Sequence, residues 1–285
     1  EALSDYTRQK ISSALNLDPA NAGNLISFWA ALHDIGKASP AFQRKFEPQA
    51  KILERIGFVF PSKLRMSSHP APHGIISTWA LQNLFINQFG LNRGDAFRIA
   101  SVLGGHHGAW PTTDRLQSPA LQASDKGDQS WDFAREQIFL TLQDVYQPMA
   151  NVSLPKNQIE RNALLTLLSG LVSVADWIGS IEEHFPFEDE FMPARDYVKL
   201  TSKRARTALE KLGWIGWKAD GKQKLFEEMF PSTPIPHPIQ QAKYTHDLFE
   251  QFYYKFQYQY RTSSDWVDDN QSLATKIEDH YSMSP

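Results

Sequence analysis

The 285-residue sequence contains no cysteine. Disulfides, thiolate metal ligands and cysteine nucleophiles are therefore all excluded, and any metal would have to be held by His, Asp or Glu. There is no uninterrupted apolar run of the roughly 18 residues that a membrane span requires, and no leader-like segment is visible. These absences suggest a cytoplasmic protein without a membrane partner. A strong charge of one sign is missing too: the net charge is −3, which excludes a generally basic nucleic-acid coat. No GxxxxGK[ST] loop occurs, so the nucleotide chemistry of such loops does not reside in these residues.

What charge there is lies unevenly. The segment 181–190, IEEHFPFEDE, carries five acids and no Lys or Arg, whereas 191–225 carries nine Lys/Arg against three acids. Lys199, Lys203, Arg204 and Arg206 fall in that basic stretch. A local basic strip can steer a phosphate chain even when the total charge is negative, although such runs also occur as plain solvated faces.

Apolar spacing is helical almost throughout. ISFWAALHDIGK places Ile26, Trp29 and Ala30 on one stripe, with His33 and Lys37 further along the same side. Ser39 followed by Pro40 reads as an N-cap and first-turn proline. Further helices are predicted in PHGIISTWALQNLFINQF, RGDAFRIASVLGGHH and SWDFAREQIFLTLQDVY, and in the basic, amphipathic ARDYVKLTSKRARTALEKLGW. QIERNALLTLLSGLVSVADWIGSI is apolar nearly all round, which predicts a central helix. Only the short GFVF run at 57–60 looks strand-like, and 61–72, 108–130 and 148–157 read as loops. The expected fold is all-α. A domain over 1–230 gives way at the Pro-rich FPSTPIPHPIQ to an aromatic, helical C-terminal extension over 231–285.

Nine histidines are present, and several stand at predicted helix ends. His33 and Asp34 close one helix, His73 opens another, and His106–His107 follow Gly104–Gly105 at the end of a third. Asp176 lies within an otherwise apolar helix, where a carboxylate needs a partner. Neighbouring residues on a helix diverge by roughly 100°, so His106 and His107 suit two metals, or one metal and a phosphate, better than one chelate. Four histidines and two aspartates converging from four helices would make a two-metal hydrolase centre. Trp110 follows the double histidine and could stack on an unpaired base, or simply belong to the core.

LHDIGKASPAFQ, PHGIIS, GGHHGAWP and SVADWIGS, in that order, resemble the HD nuclease domain of the CRISPR-associated nuclease-helicase of type I systems. The resemblance spans roughly residues 20 to 240 and implies an HD-domain helical bundle. It further implies metal ligation by His33, Asp34, His73, His106, His107 and Asp176, with Asp34 bridging two ions and Lys37 close to the scissile phosphate. It predicts a single-stranded DNA substrate, a helicase domain or subunit as partner, and an RNA-guided surveillance complex. The all-N/O donor set leans toward Mn, Ni, Co or Fe over Mg. Two departures stand out. The family has a further metal-binding His upstream, in a first helix that this chain is expected to lack, and no His precedes His33. The helicase loop is also absent, so these residues would be a stand-alone nuclease, an excised domain or part of a longer chain. Two other readings are an HD phosphohydrolase acting on a nucleotide, and a non-catalytic HD-like docking module.

Overall fold

The computed structural model describes residues 3–61, 70–117, 121–150, 152–188 and 192–215. Among the described residues every regular element is a helix. Side-chain caps set where many of them begin. Ser4 accepts from the amide of Thr7 at the start of α1 (Asp5–Leu15), and Asp18 accepts from Ala20 and Asn21 at the start of α2 (Pro19–Ala31), with Pro19 in its first turn. Ser39 caps the single-turn α3 (Pro40–Gln43) as its spacing predicts. α4 (Glu47–Arg55) follows directly.

The centre is made by α5 (His73–Asn87) and α6 (Arg93–Gly104), which pack more extensively than any other pair. α9 (Gln129–Tyr146) lies against α2 and α5, α10 (Gln158–Gly179) against α6, α1 and α2, and α11 (Ala194–Lys211) against α9. Phe28 and Trp29 of α2 are wholly buried. Phe28 meets Phe139 of α9 edge-on at 5.2 Å between ring centroids, and Phe89 at 5.7 Å. Leu81, Phe85, Ile99, Leu103 and Leu168 complete the apolar contact among these helices.

Several expectations need correction. The GFVF run forms no strand; Phe58 and Phe60 pack on the ring of Trp131 (centroids 4.6 and 5.4 Å), whose Nε1 donates to the carbonyl of Val59. The two phenylalanines there cover a buried indole instead of pairing with a neighbouring segment. The loop expected over 108–130 contains two short helices, α7 (Thr113–Gln117) and α8 (Ala123–Lys126). The helix SVADWIGS belongs to is not central: α10 buries Leu164, Leu165, Leu168 and Val172 on one side and leaves Ile159 and Trp177 exposed. Hydropathy measures how apolar a helix is, not how many faces its neighbours cover. By length and 18-residue mean hydropathy α10 could cross a membrane, but in this fold its apolar side is part of the core. α1 and α2 precede the HD pair, and neither contains a histidine. The boundary at 230/231 and the extension over 231–285 lie outside the described residues.

Candidate metal centre

α2 ends at Ala31, and the chain turns through Leu32, His33 and Asp34 into a single 3₁₀ turn, Ile35–Lys37. His33 and Lys37 therefore do not share a helix face as their spacing predicts. The turn is pressed onto the start of α5. The amide of Gly36 donates to Ser77 Oγ (2.9 Å), and a Cβ at Gly36 would lie 2.2 Å from the carbonyl oxygen of His73. Only glycine permits this approach. It brings Asp34 beside His73, the first residue of α5: Oδ1 of Asp34 is 3.2 Å from His73 Nε2.

The second close approach joins α5 to α6. Cβ atoms built on Gly74 or Gly104 would meet the other residue's carbonyl oxygen at 2.2 and 2.3 Å. Thr78 Oγ1 donates to the carbonyl of Gly74 at this crossing. Backbone contact here sets the end of α6 next to the start of α5, so the residues that follow, His106 and His107, arrive at His73. The Nε2 atoms of His107 and His73 are 3.1 Å apart. His106 is buried, with Nε2 3.6 Å from Asp34 Oδ1.

The remaining side is closed by a polar stripe on α10. Ser169, Ser173 and Asp176 are spaced i, i+4, i+7 and so share one face. Ser169 Oγ accepts from Trp110 Nε1 (3.0 Å), Ser173 Oγ donates to the carbonyl of His106 (2.6 Å), and Asp176 Oδ1 lies 3.4 Å from His33 Nε2. The sequence reading found Asp176 but missed both serines. Their signal was there to be read, as two hydroxyls in register with the Asp176 carboxylate on a largely apolar helix.

The site thus gathers all six predicted ligand residues. His33 and His106 direct Nδ1 at the carbonyls of Ala30 and Leu103 (both 2.7 Å). A carbonyl can only accept, so the proton is assigned to Nδ1 and Nε2 faces the cluster. Asp34 presents Oδ1 to His73 and His106, and Oδ2 to His33 (3.2 Å) and Lys37 Nζ (2.5 Å). Two sets of donors result, His33/Asp34/His106 and His73/His106/His107, each with its ligand atoms within 4.8 Å of one another. His106 belongs to both.

Burial and charge act strongly here. Burial disfavours protonation of His33, yet Asp176 and Asp34 outweigh it and lift its pKa to about 9. Burial likewise works against an ionised Asp34, but His33, His73 and Lys37 hold it far below the usual carboxylate range. Asp176 is lowered by His33. Burial pushes His106 down to about 4, and burial with the proximity of His73 lowers His107. His33 Nε2, Asp34 Oδ1 and His106 Nε2 are buried without a hydrogen-bond partner; their neighbours stand close but misaligned. Three such atoms facing one point is a configuration that a cation relieves, and the imidazole and carboxylate donors fit a borderline divalent ion.

A family model described as Cas3, HD domain, matches residues 1–185. The chain belongs to the Cas3 HD domain family. It is 32% identical over 223 residues to the CRISPR-associated endonuclease/helicase Cas3 of Thermus thermophilus, a match covering 75% of this chain and 23% of that protein. The chain thus spans about a quarter of the curated relative's length. A crystal structure titled as a CRISPR-associated protein superimposes with a TM-score of 0.67 at 33% identity, covering 84% of this chain and 26% of the other. The Thermus thermophilus Cas3 HD domain, solved in the presence of Ni2+, gives a TM-score of 0.55 at 25% identity, covering 76% and 79%.

Other residues singled out in the sequence of this Cas3 HD chain are placed away from the cluster or tied into it. Trp110 is half-exposed; its indole N–H is held by Ser169 and its Cδ1 would lie 2.6 Å from a Cβ on Gly105. The ring thus braces the double-histidine loop. Lys199, Lys203, Arg204 and Arg206 lie on α11, which packs on α9. Lys199 pairs with Asp196 (3.1 Å), Arg204 with Glu188 (2.5 Å) and Arg206 with Glu210 (3.1 Å), so much of that basic charge is met locally. His184 is half-buried outside the cluster. His69, His237, His246 and His280 lie outside the described residues. Two concavities, one of about 320 Å³ between α1 and α10 and one of about 280 Å³ beside Trp79 and Arg135, contain none of the cluster residues.

Proposed function

We propose that this Cas3 HD domain is a metal-dependent nuclease that hydrolyses phosphodiester bonds of single-stranded DNA in type I CRISPR antiviral interference. The observation that carries the reading is the convergence of His33 Nε2, Asp34 Oδ1 and His106 Nε2, buried and without hydrogen-bond partners. Divalent ions held by such a donor set lower the pKa of water and neutralise charge on phosphate oxygens.

The chain's own groups prepare that chemistry. Asp34 turns one oxygen toward each donor set, the placement a bridging carboxylate needs. His33 and His106 are locked by carbonyls in the tautomer that leaves Nε2 free to ligate. Asp176 and His107 would complete the two ends of a two-ion site, with Mn, Ni, Co or Fe favoured over Mg. Lys37 brings a cation beside Asp34, where it can meet the non-bridging oxygens of the scissile phosphate. The partners that follow are a helicase domain or subunit that supplies the strand, and an RNA-guided surveillance complex in the cytoplasm.

The test is cleavage of circular single-stranded DNA by the chain supplied with Mn2+ or Ni2+. Wild type is expected to linearise the circle, and chelation or Asp34→Ala to abolish cutting. Equal cutting by wild type and Asp34→Ala would overturn the proposal.

A further inference from the structure

The segment after the HD turn, SPAFQRKF, carries two aromatic rings, Phe42 and Phe46, with Arg44 and Lys45 between them. The ring of Phe42 stands edge-on to His73 at 5.5 Å. Two ammonium groups lie over that ring: Lys37 Nζ at 5.6 Å and Lys45 Nζ at 4.9 Å from its centroid. Lys37 is met by Asp34. Lys45 has no carboxylate within ion-pair distance among the described residues, and its side chain is exposed. Phe46, next in the chain, is 65% exposed.

The backbone that carries these groups is tied to the HD turn. Ser39 Oγ donates to the carbonyl of Gly36 (2.7 Å), and Gln43 Nε2 to that of Lys37 (2.9 Å). The buried guanidinium of Arg135 donates to the carbonyl of Ala38 (2.6 Å). α3 and the residues that follow it are therefore anchored to the 3₁₀ turn that carries the metal-ligand pair. Ammonium groups beside aromatic rings are the composition of surfaces that bind single strands, with ammonium groups on the phosphates and rings under the bases.

We propose that Lys45 and Phe46 form a single-strand binding track continuous with the cluster. A phosphate flanking the scissile one pairs with Lys45, and a base stacks on Phe46. This inference rests on the nuclease reading above and adds the path of the strand.

The experiment is fluorescence anisotropy of a labelled oligothymidylate with the full chain in EDTA, over a range of salt, alongside metal-loaded cleavage of the same oligomer. Lys45→Ala is expected to weaken binding and to make the slope of log affinity against log salt shallower by about 0.7. Lys45→Arg should keep the wild-type slope. Phe46→Ala should lose about fivefold to a hundredfold in affinity with the slope unchanged. Lys10→Ala, which removes a lysine of α1 lying over Tyr6, should behave as wild type. If wild type cuts and binds the oligomer but Lys45→Ala and Phe46→Ala match it, the track is wrong and the nuclease reading stands. If wild type neither binds nor cuts, the nuclease reading fails and the track falls with it.

Discussion

Ser173 Oγ donates a 2.6 Å hydrogen bond to the main-chain carbonyl of His106. One turn further along the same face of α10, Asp176 reaches His33. A single helix thereby fixes the height of the double-histidine loop and supplies a carboxylate to the HD turn. The hydroxyl touches no ligand atom, so its effect on the metal would pass through the placement of His106.

Removing that hydroxyl should show this. Ser173→Ala is expected to weaken metal binding by about tenfold to a hundredfold, the range for groups that orient a ligand, and Ser173→Thr to restore it. Titration calorimetry with Mn2+ or Ni2+ reads the change. A drop in melting temperature with metal affinity untouched would make Ser173 a packing residue only.

Gly36 is pressed directly onto backbone, with His73 O 2.2 Å from a notional Cβ. Backbone cannot swing aside as a flexible side chain can. Gly36→Ala is expected to cost about 3 kcal/mol of unfolding free energy and to separate Asp34 from His73. Chemical denaturation would measure the first effect and loss of metal uptake the second. An alanine variant of wild-type stability would contradict the packing described.

The metal-free protein should be least sensitive to pH near the ordinary histidine value of 6.5, losing stability on both sides. His33 has its pKa raised from 6.5 to about 9. The folded state holds a proton that the unfolded state releases, so its contribution is complete below 6.5 and disappears as pH climbs through 9. His106 is lowered from 6.5 to about 4. There the unfolded state takes up the proton first, so stability falls as pH drops from 6.5 toward 4. Asp34 and Asp176, both lowered from 3.8, add to the acid limb. Melting temperatures in EDTA across this range, with His33→Gln flattening the alkaline limb and His106→Gln the acid one, are the check. An alkaline limb that survives His33→Gln would assign it elsewhere.

The helices and the residues that cluster at the site were legible in the sequence because both rest on local signals. Ser39–Pro40 marks a helix start by its own chemistry, and His33–Asp34, His73, His106–His107 and Asp176 are donor types at polar breaks in apolar runs. What escaped depends on contacts between distant segments. Nothing near Gly36 in the chain says that Ser77 and His73 will press against it. The Ser169 and Ser173 hydroxyls acquire meaning only once Trp110 and His106 lie beside them. α10 was misplaced for a related reason: its leucines do not reveal which of its faces another helix covers.

Metal uptake tests the central claim most directly, and His106 is the residue on which to measure it. Because His106 belongs to both donor sets, equilibrium dialysis against Mn2+ or Ni2+ with elemental analysis should find metal on wild type. Uptake should be largely lost from both His106→Ala and Asp34→Ala, with the helical circular-dichroism spectrum retained. Wild type that takes up no divalent metal, or variants that take up as much as wild type, would contradict the assignment of this cluster as a metal centre.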